Sequence, residues 1–292
     1  MEDTNKNELA ALINLIDDPD LEVSKHVVAK LISLGPSVIP DLEEAWEKSF
    51  NPAVHTRLED VIHIIHQDTL CADLKEWSQN HSDDLLQGAI LVAKHQYPEI
   101  NVLKIQNHIE KLKKEIWLEM NYNLTPLEQV NVFNHVLFGL NDFRANGQEL
   151  HDANNCYINC LLESKKGNPI SLGILYLVLA NHLQMPVYGV DLPRHFILSY
   201  HNHVLQPEDD ENAIRGSILF YINAFNKGII FSRDDITQFL QHSNHEPKPE
   251  NYSPCSSVQV IHSLINHLIS CYEISGYADK VNDLLKMKNA LK

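Results

Sequence analysis

Positive charge is scarce in this sequence: 23 Lys and Arg stand against 39 Asp and Glu, a formal net charge of −16 over 292 residues. The basic residues gather no further than short pairs such as Lys113-Lys114 and Lys165-Lys166. Nucleic acids are held by concentrated cations that displace their counterions, and anionic membrane surfaces select similar clusters, so the composition argues against both partners. Phosphate-cradling loops of the GxxxxGK[ST] and GxGxxG types are missing. Two lysines ahead of Gly167 could hold an anion at a helix start, but solvated lysines are the better account of them. The main apolar block, residues 170–183, is shorter than the ~17–25 residues that cross a bilayer, so no membrane span is expected. Five scattered cysteines (Cys71, Cys156, Cys160, Cys255, Cys271) show neither an even count nor metal-type spacing, and MEDTNKNEL is a polar N-terminus unlike a secretory leader. Reduced thiols in a cytoplasmic setting are the expectation.

What is present is ordinary for a soluble globular protein: 44% hydrophobic and 21% charged residues, with enough chain for one large or two modest domains. Seventeen histidines invite a metal reading. His63 and His66 fall at i, i+3 of one helix, and His201 and His203 alternate along a strand, yet neither pair has a companion Cys, Asp or Glu as in HExxH. They read as surface histidines, and no metal or cofactor is expected.

The first 80 residues are helical by periodicity. Leu9, Leu12, Ile13 and Ile16 form one stripe, and Val23, Val27, Val28, Leu31 and Ile32 the next; a third helix carries Ile39, Leu42 and Trp46. Residues 52–65 echo residues 19–32 at a 33-residue offset, which reads as a short HEAT-like pair or a helical cap. Further helices are expected around 85–93, 102–116 and 127–140, with Thr125-Pro126 as cap and first position. Residues 143–155 read as a loop.

The chain is organised around residues 166–200, KGNPISLGILYLVLANHLQMPVYGVDLPRHFILSY. A helix apolar almost all round belongs in a core, and Asn168 as cap with Pro169 at the first position fixes its start. Strands are expected at 187–191, 195–200, 217–223 and 229–231, with a turn at 201–204 and a solvated acidic loop at 207–211. Ser232 and Asp235 suggest a capping box. Residues 241–254 read as a linker, and 255–292 as a helical hairpin turning at Gly276.

The run NNCYIN…KKGNPISLGILYLVLANHLQMPVYGVDLPRHFIL resembles the SirB-type transglutaminase-like family, whose pattern is NSYLN…RGNPISL…LGLPVEGV…PGHFL. The similarity extends from about Leu85 to about Leu285. It implies an α+β, mostly α fold: a papain/transglutaminase-like core with a small antiparallel sheet on a buried central helix. Three segments follow: 1–82, a HEAT-like helical repeat or cap; 83–242, the transglutaminase-like domain; and 255–292, a tetratricopeptide-like hairpin.

In catalytic transglutaminase-like domains the helix opens Gly-Asp-Cys, where the helix dipole lowers the thiol pKa. Here it opens Gly167-Asn168-Pro169, so a cysteine–histidine–aspartate site would read Pro169–His195–Asn223. Proline has no attacking atom, and Ser171 lies ~200° around the helix from it. His195 could serve as a base and Asn223 could orient it through its amide oxygen. Cys156 and Cys160, at i and i+4, are fallback nucleophiles or buried core residues. The family's glycine before the histidine is Arg194 here, a cation at the expected pocket rim. Asn168, Arg194 and His195 are therefore the candidate binding residues. The favoured expectation is a catalytically inactive protein acting as a regulatory or protein-binding scaffold, with a protein or peptide partner. The alternative is a cysteine-dependent hydrolase or acyltransferase using Cys156 or Cys160 with His195.

Overall fold

The structure, a computed structural model, describes residues 1–292 except 1, 122, 148, 150, 194, 207–209 and 292, and residues 2–6 by backbone alone. The chain forms two compact units, Met1–Asp73 and Leu74–Lys292. Their border falls inside a single helix, α4.

The first unit holds α1 (Glu2–Asn14), α2 (Leu21–Ser33), α3 (Ile39–Lys48) and most of α4 (Pro52–Asn80). Asp20 caps α2 by accepting from Glu22 N. The expected stripes meet in one cluster: Leu9 and Ile16 with Val27 and Leu31, and Ile39 and Leu42 with Leu58, Val61 and Ile65. Arg57, from α4, donates to Ile16 O at the open end of α1 and pairs with Asp17 at 3.5 Å. That bond satisfies a carbonyl that the helix end leaves without an intrahelical partner.

The second unit continues with α5 (Leu85–Lys94), α6 (Val102–Glu119) and α7 (Pro126–Asn134). The segment expected to be one helix to residue 140 widens after Asn134 into a π-helical turn, His135–Leu140. Residues 143–155 are more ordered than a loop. Arg144–Ala145 forms β1, parallel to β2 (Lys166–Gly167), and Ala153–Cys156 is a 3₁₀ turn capped by Asp152. Two-residue strands carry too little alternation to be read from a sequence. Next come α8 (Ile158–Ser164) and α9 (Pro169–His182).

Helix α9 is the core helix. Every residue from Pro169 to Ala180 is buried, against α5, α6, α8 and the sheet. Gly173 is there for close approach: a Cβ at that position would sit 2.5 Å from the Phe196 ring. The sheet is an antiparallel meander of β3 (Val187–Leu192), β4 (His195–His201), β5 (Ile218–Asn223) and β6 (Ile229–Phe231), ordered β3-β4-β5-β6. Its other face packs Val190, Leu192, Ile197 and Tyr221 against Ile236 and Leu240 of α11 (Arg233–His242). The fold is thus mostly helical, with one small antiparallel sheet on a buried central helix.

Three expectations are corrected here. Strand β4 runs on to His201 before the chain turns. Of the expected acidic loop, residues 207–209 lie outside the described residues, but Glu211–Gly216 is a short helix, α10, capped by Asp210. The segment 241–254 is docked rather than a free linker. Tyr252 is buried, stacks under the Arg233 guanidinium at 4.3 Å and hydrogen-bonds Thr237, while Cys255 N donates to Gly189 O at 2.8 Å. The chain ends in α12 (Ser257–Ser275) and α13 (Ala278–Ala290), joined at Gly276 with φ +78°. Among the described residues no helix is long and apolar enough to cross a membrane.

Candidate functional site

The start of α9 is built by Asn168. Its side chain accepts from Ser171 N at 2.8 Å, and its own N–H donates to Ser171 Oγ at 3.1 Å, a reciprocal capping box. Pro169 follows at the first helical position, which has no N–H to satisfy. Both polar partners are buried, each 1% exposed. The position where the resemblance would expect a thiol is therefore a proline, and the nearby hydroxyl of Ser171 is committed to the cap.

His195 opens β4, and Asn223 ends β5. The two strands pair directly, which brings the side chains to 3.2 Å between Asn223 Nδ2 and His195 Nε2. Asn223 Oδ1 accepts from Asn226 N in the turn after β5, also at 3.2 Å. With Oδ1 turned to Asn226 N, the amide presents its nitrogen to the imidazole and donates to Nε2. That is the reverse of the expected arrangement, in which the oxygen would accept an imidazole N–H. The ring also contacts Phe225 and Phe239, with centroids 6.4 and 5.8 Å away. Burial holds the His195 pKa below the ordinary histidine value. Among the described residues, none of these hydrogen-bond or ring partners is a thiol. Arg194, expected at the rim, lies outside the described residues.

The two fallback cysteines face different ways. The expected shared helical face does not form, because Cys156 ends the 3₁₀ turn and extended Tyr157 separates it from α8. Cys160 Sγ donates to Tyr97 Oη at 3.3 Å. Cys156 Sγ accepts from Asn168 Nδ2 at 3.0 Å. Burial raises the pKa of both thiols, which removes thiolate at neutral pH.

Cys156 instead meets residues that the sequence reading left apart. Its sulfur, the Cys271 sulfur and a ring nitrogen of His267 all lie within 4.8 Å of one another. The Cys156 thiol, followed by the His267 imidazole, holds the Cys271 pKa well below the ordinary thiol value. His267 and Cys271 stand at i, i+4 of α12, a spacing that could have flagged a shared face. Cys156 lies more than a hundred residues earlier, and nothing local in the sequence points to it. His201 also departs from its surface reading: it is fully buried, with Nε2 2.9 Å from Ser199 Oγ and Nδ1 2.7 Å from Ser217 Oγ.

The profile of the transglutaminase-like superfamily matches residues 103–266, a span that contains Pro169, His195 and Asn223. A UPF0162 protein of Xylella fastidiosa is 32% identical over 118 residues, 39% of this chain and 41% of that protein. A UPF0162 protein of Vibrio cholerae is 26% identical over 147 residues, half of each chain. F-box only protein 21 of Homo sapiens is 25% identical over 194 residues, 58% of this chain and 30% of that protein. The chain thus spans about two-fifths of the length of the Xylella relative that it matches. No solved structure matches it. With more than half of its residues inside the family profile, the chain belongs to the transglutaminase-like superfamily.

Proposed function

We propose that this chain is a transglutaminase-like protein without catalytic activity, working as a regulatory or protein-binding scaffold. One observation carries the reading: Pro169 occupies the helix start that would need a thiol, with Asn168 and Ser171 closed into a capping box around it. The state of His195 supports it. A general base must stand within hydrogen-bond reach of its nucleophile, and the ring's described partners are Asn223, Phe225 and Phe239, with no thiol among them. Under this reading His195, Asn223 and the helix start at Asn168 are retained as a structural or binding pocket, with Arg194 as its cationic rim.

A protein or peptide partner is part of the same proposal. The first unit turns Phe50, 98% exposed, and Leu21, 69% exposed, to solvent, and the proposal offers these two side chains for partner contact. Residues 1–82 would then be a docking arm, 83–242 the transglutaminase-like domain and 255–292 a packing hairpin, in a reducing cytoplasmic compartment.

Cysteine-directed labelling followed by peptide mapping tests the central point. The proposal expects the five thiols to react as their burial dictates, with the same pattern in His195→Ala. A single hyper-reactive thiol that loses its reactivity in His195→Ala would overturn it and restore the hydrolase or acyltransferase reading.

A further inference from the structure

Two buried thiols and one imidazole converge where the C-terminal hairpin meets the turn before α8. Cys156 is 2% exposed and Cys271 1%, and their sulfurs and a His267 ring nitrogen lie within 4.8 Å of one another. Tetrahedral zinc, with bonds of ~2.3 Å to sulfur and ~2.0–2.1 Å to nitrogen, sets its ligand atoms roughly 3.6–3.8 Å apart, so small side-chain rotations close the triangle. His267 Nε2 is buried and makes no hydrogen bond. An orphaned buried nitrogen is a cost unless something accepts its lone pair or proton.

The surroundings fit the same chemistry. Asn168 Nδ2 donates to Cys156 Sγ at 3.0 Å, the type of N–H···S contact that supports a metal-bound thiolate. Next along both segments, Tyr157 Oη and Tyr272 Oη meet at 2.9 Å, so the two backbones are held together beside the cluster. Three protein ligands leave the fourth corner of a tetrahedral site to water. A disulfide between Cys156 and Cys271 would use both sulfurs but leave His267 without a partner.

We infer that Cys156, His267 and Cys271 form a binding site for a thiophilic divalent ion, zinc by donor set, which ties α12 to the turn that precedes α8 and to the start of α9. Sulfur and imidazole donors select zinc over hard, oxygen-seeking cations. This role is separate from the His195 pocket and does not depend on whether the protein is an enzyme.

The test uses the full chain, reduced and stripped of metal. Zinc is titrated against a chromophoric chelator, and cobalt(II) serves as the spectroscopic probe. The expected result is one ion per chain and thiolate-to-cobalt charge-transfer absorption. Zinc affinity should fall at least tenfold in Cys271→Ser and in His267→Ala, and stay as in the parent in Cys255→Ser, whose thiol instead contacts Gly189 O. Far-ultraviolet circular dichroism checks that the variants fold, and the parent alone decides whether the cobalt band exists. Absence of that band, unchanged affinity in Cys271→Ser, or a Cys156–Cys271 disulfide formed in the presence of zinc would each overturn the inference.

Discussion

A single side chain decides several properties of this protein, and Asn168 is the first case. It caps α9 through Ser171 N and also donates to Cys156, so its removal strips a buried helix of its N-terminal partner. Asn168→Ala should cost about 1–2 kcal/mol in chemical denaturation, at the upper end for a cap because the site is buried. His201 is the second case. Burial, with a smaller contribution from His203, lowers its pKa to about 4. In the unfolded chain it titrates near 6.5, so the unfolded state binds the extra proton first as pH falls. Above pH 6.5 the ring is neutral in both states and has no effect on the pH slope. Between 6.5 and 4 it makes the folded state progressively less favourable, by about 3 kcal/mol at the bottom of that window. Denaturation midpoints measured from pH 7 to pH 4 should therefore fall less steeply in His201→Gln than in the parent. Neither role could be fully read beforehand. The Asn168 cap is local and was legible from Asn-Pro ahead of an apolar run. The burial of His201 depends on Ser217, sixteen residues on and across the sheet.

At the scale of elements, the turn between β5 and β6 holds Asn223 in place. Gly228 has φ +73°, and a Cβ there would sit 2.1 Å from Asn134 Oδ1, while Asn134 Nδ2 donates to Gly228 O at 2.9 Å. Gly228→Ala combines backbone strain with loss of that anchor, and should destabilise the protein by roughly 1–3 kcal/mol in urea unfolding. The same turn supplies Asn226 N to Asn223 Oδ1, so the variant should also change the His195 ring environment seen by NMR. Long, strongly patterned elements were the legible ones: α9 from its cap and its unbroken apolar run, and β3 to β6 from β-branched and aromatic stretches between turns. The elements that escaped were short. β1 and β2 span two residues each, and α10 one and a half turns, too few for either periodicity to register. The 241–254 segment reads as a linker because its prolines and polar residues mask one decisive aromatic, Tyr252, whose pocket is assembled by α11 and the sheet.

For the whole molecule, the chain divides into Met1–Asp73 and Leu74–Lys292, and each unit exposes large apolar side chains, Leu21 and Phe50 in the first and Leu103 and Leu118 in the second. The proposed scaffold role places partner contacts on the first unit, where Phe50 touches solvent over nearly all its area. Phe50→Ser should leave the folding stability within about 0.5 kcal/mol of the parent, as surface substitutions usually do. With a partner in hand, the same variant should weaken complex formation in a calorimetric titration, and unchanged affinity would remove Phe50 from the docking surface. Under the same proposal, the net charge of −16 would favour a basic protein or peptide, whose association should slow as salt is raised.

The scaffold reading turns on whether a sulfur in this chain performs acyl chemistry with His195. Intact-mass spectrometry after incubation with activated acyl esters, with and without hydroxylamine, addresses that directly. The account predicts no stoichiometric acyl adduct on any cysteine and no difference between the parent and His195→Ala. A one-to-one acyl adduct on a cysteine that forms rapidly, is discharged by hydroxylamine and disappears in His195→Ala would contradict it.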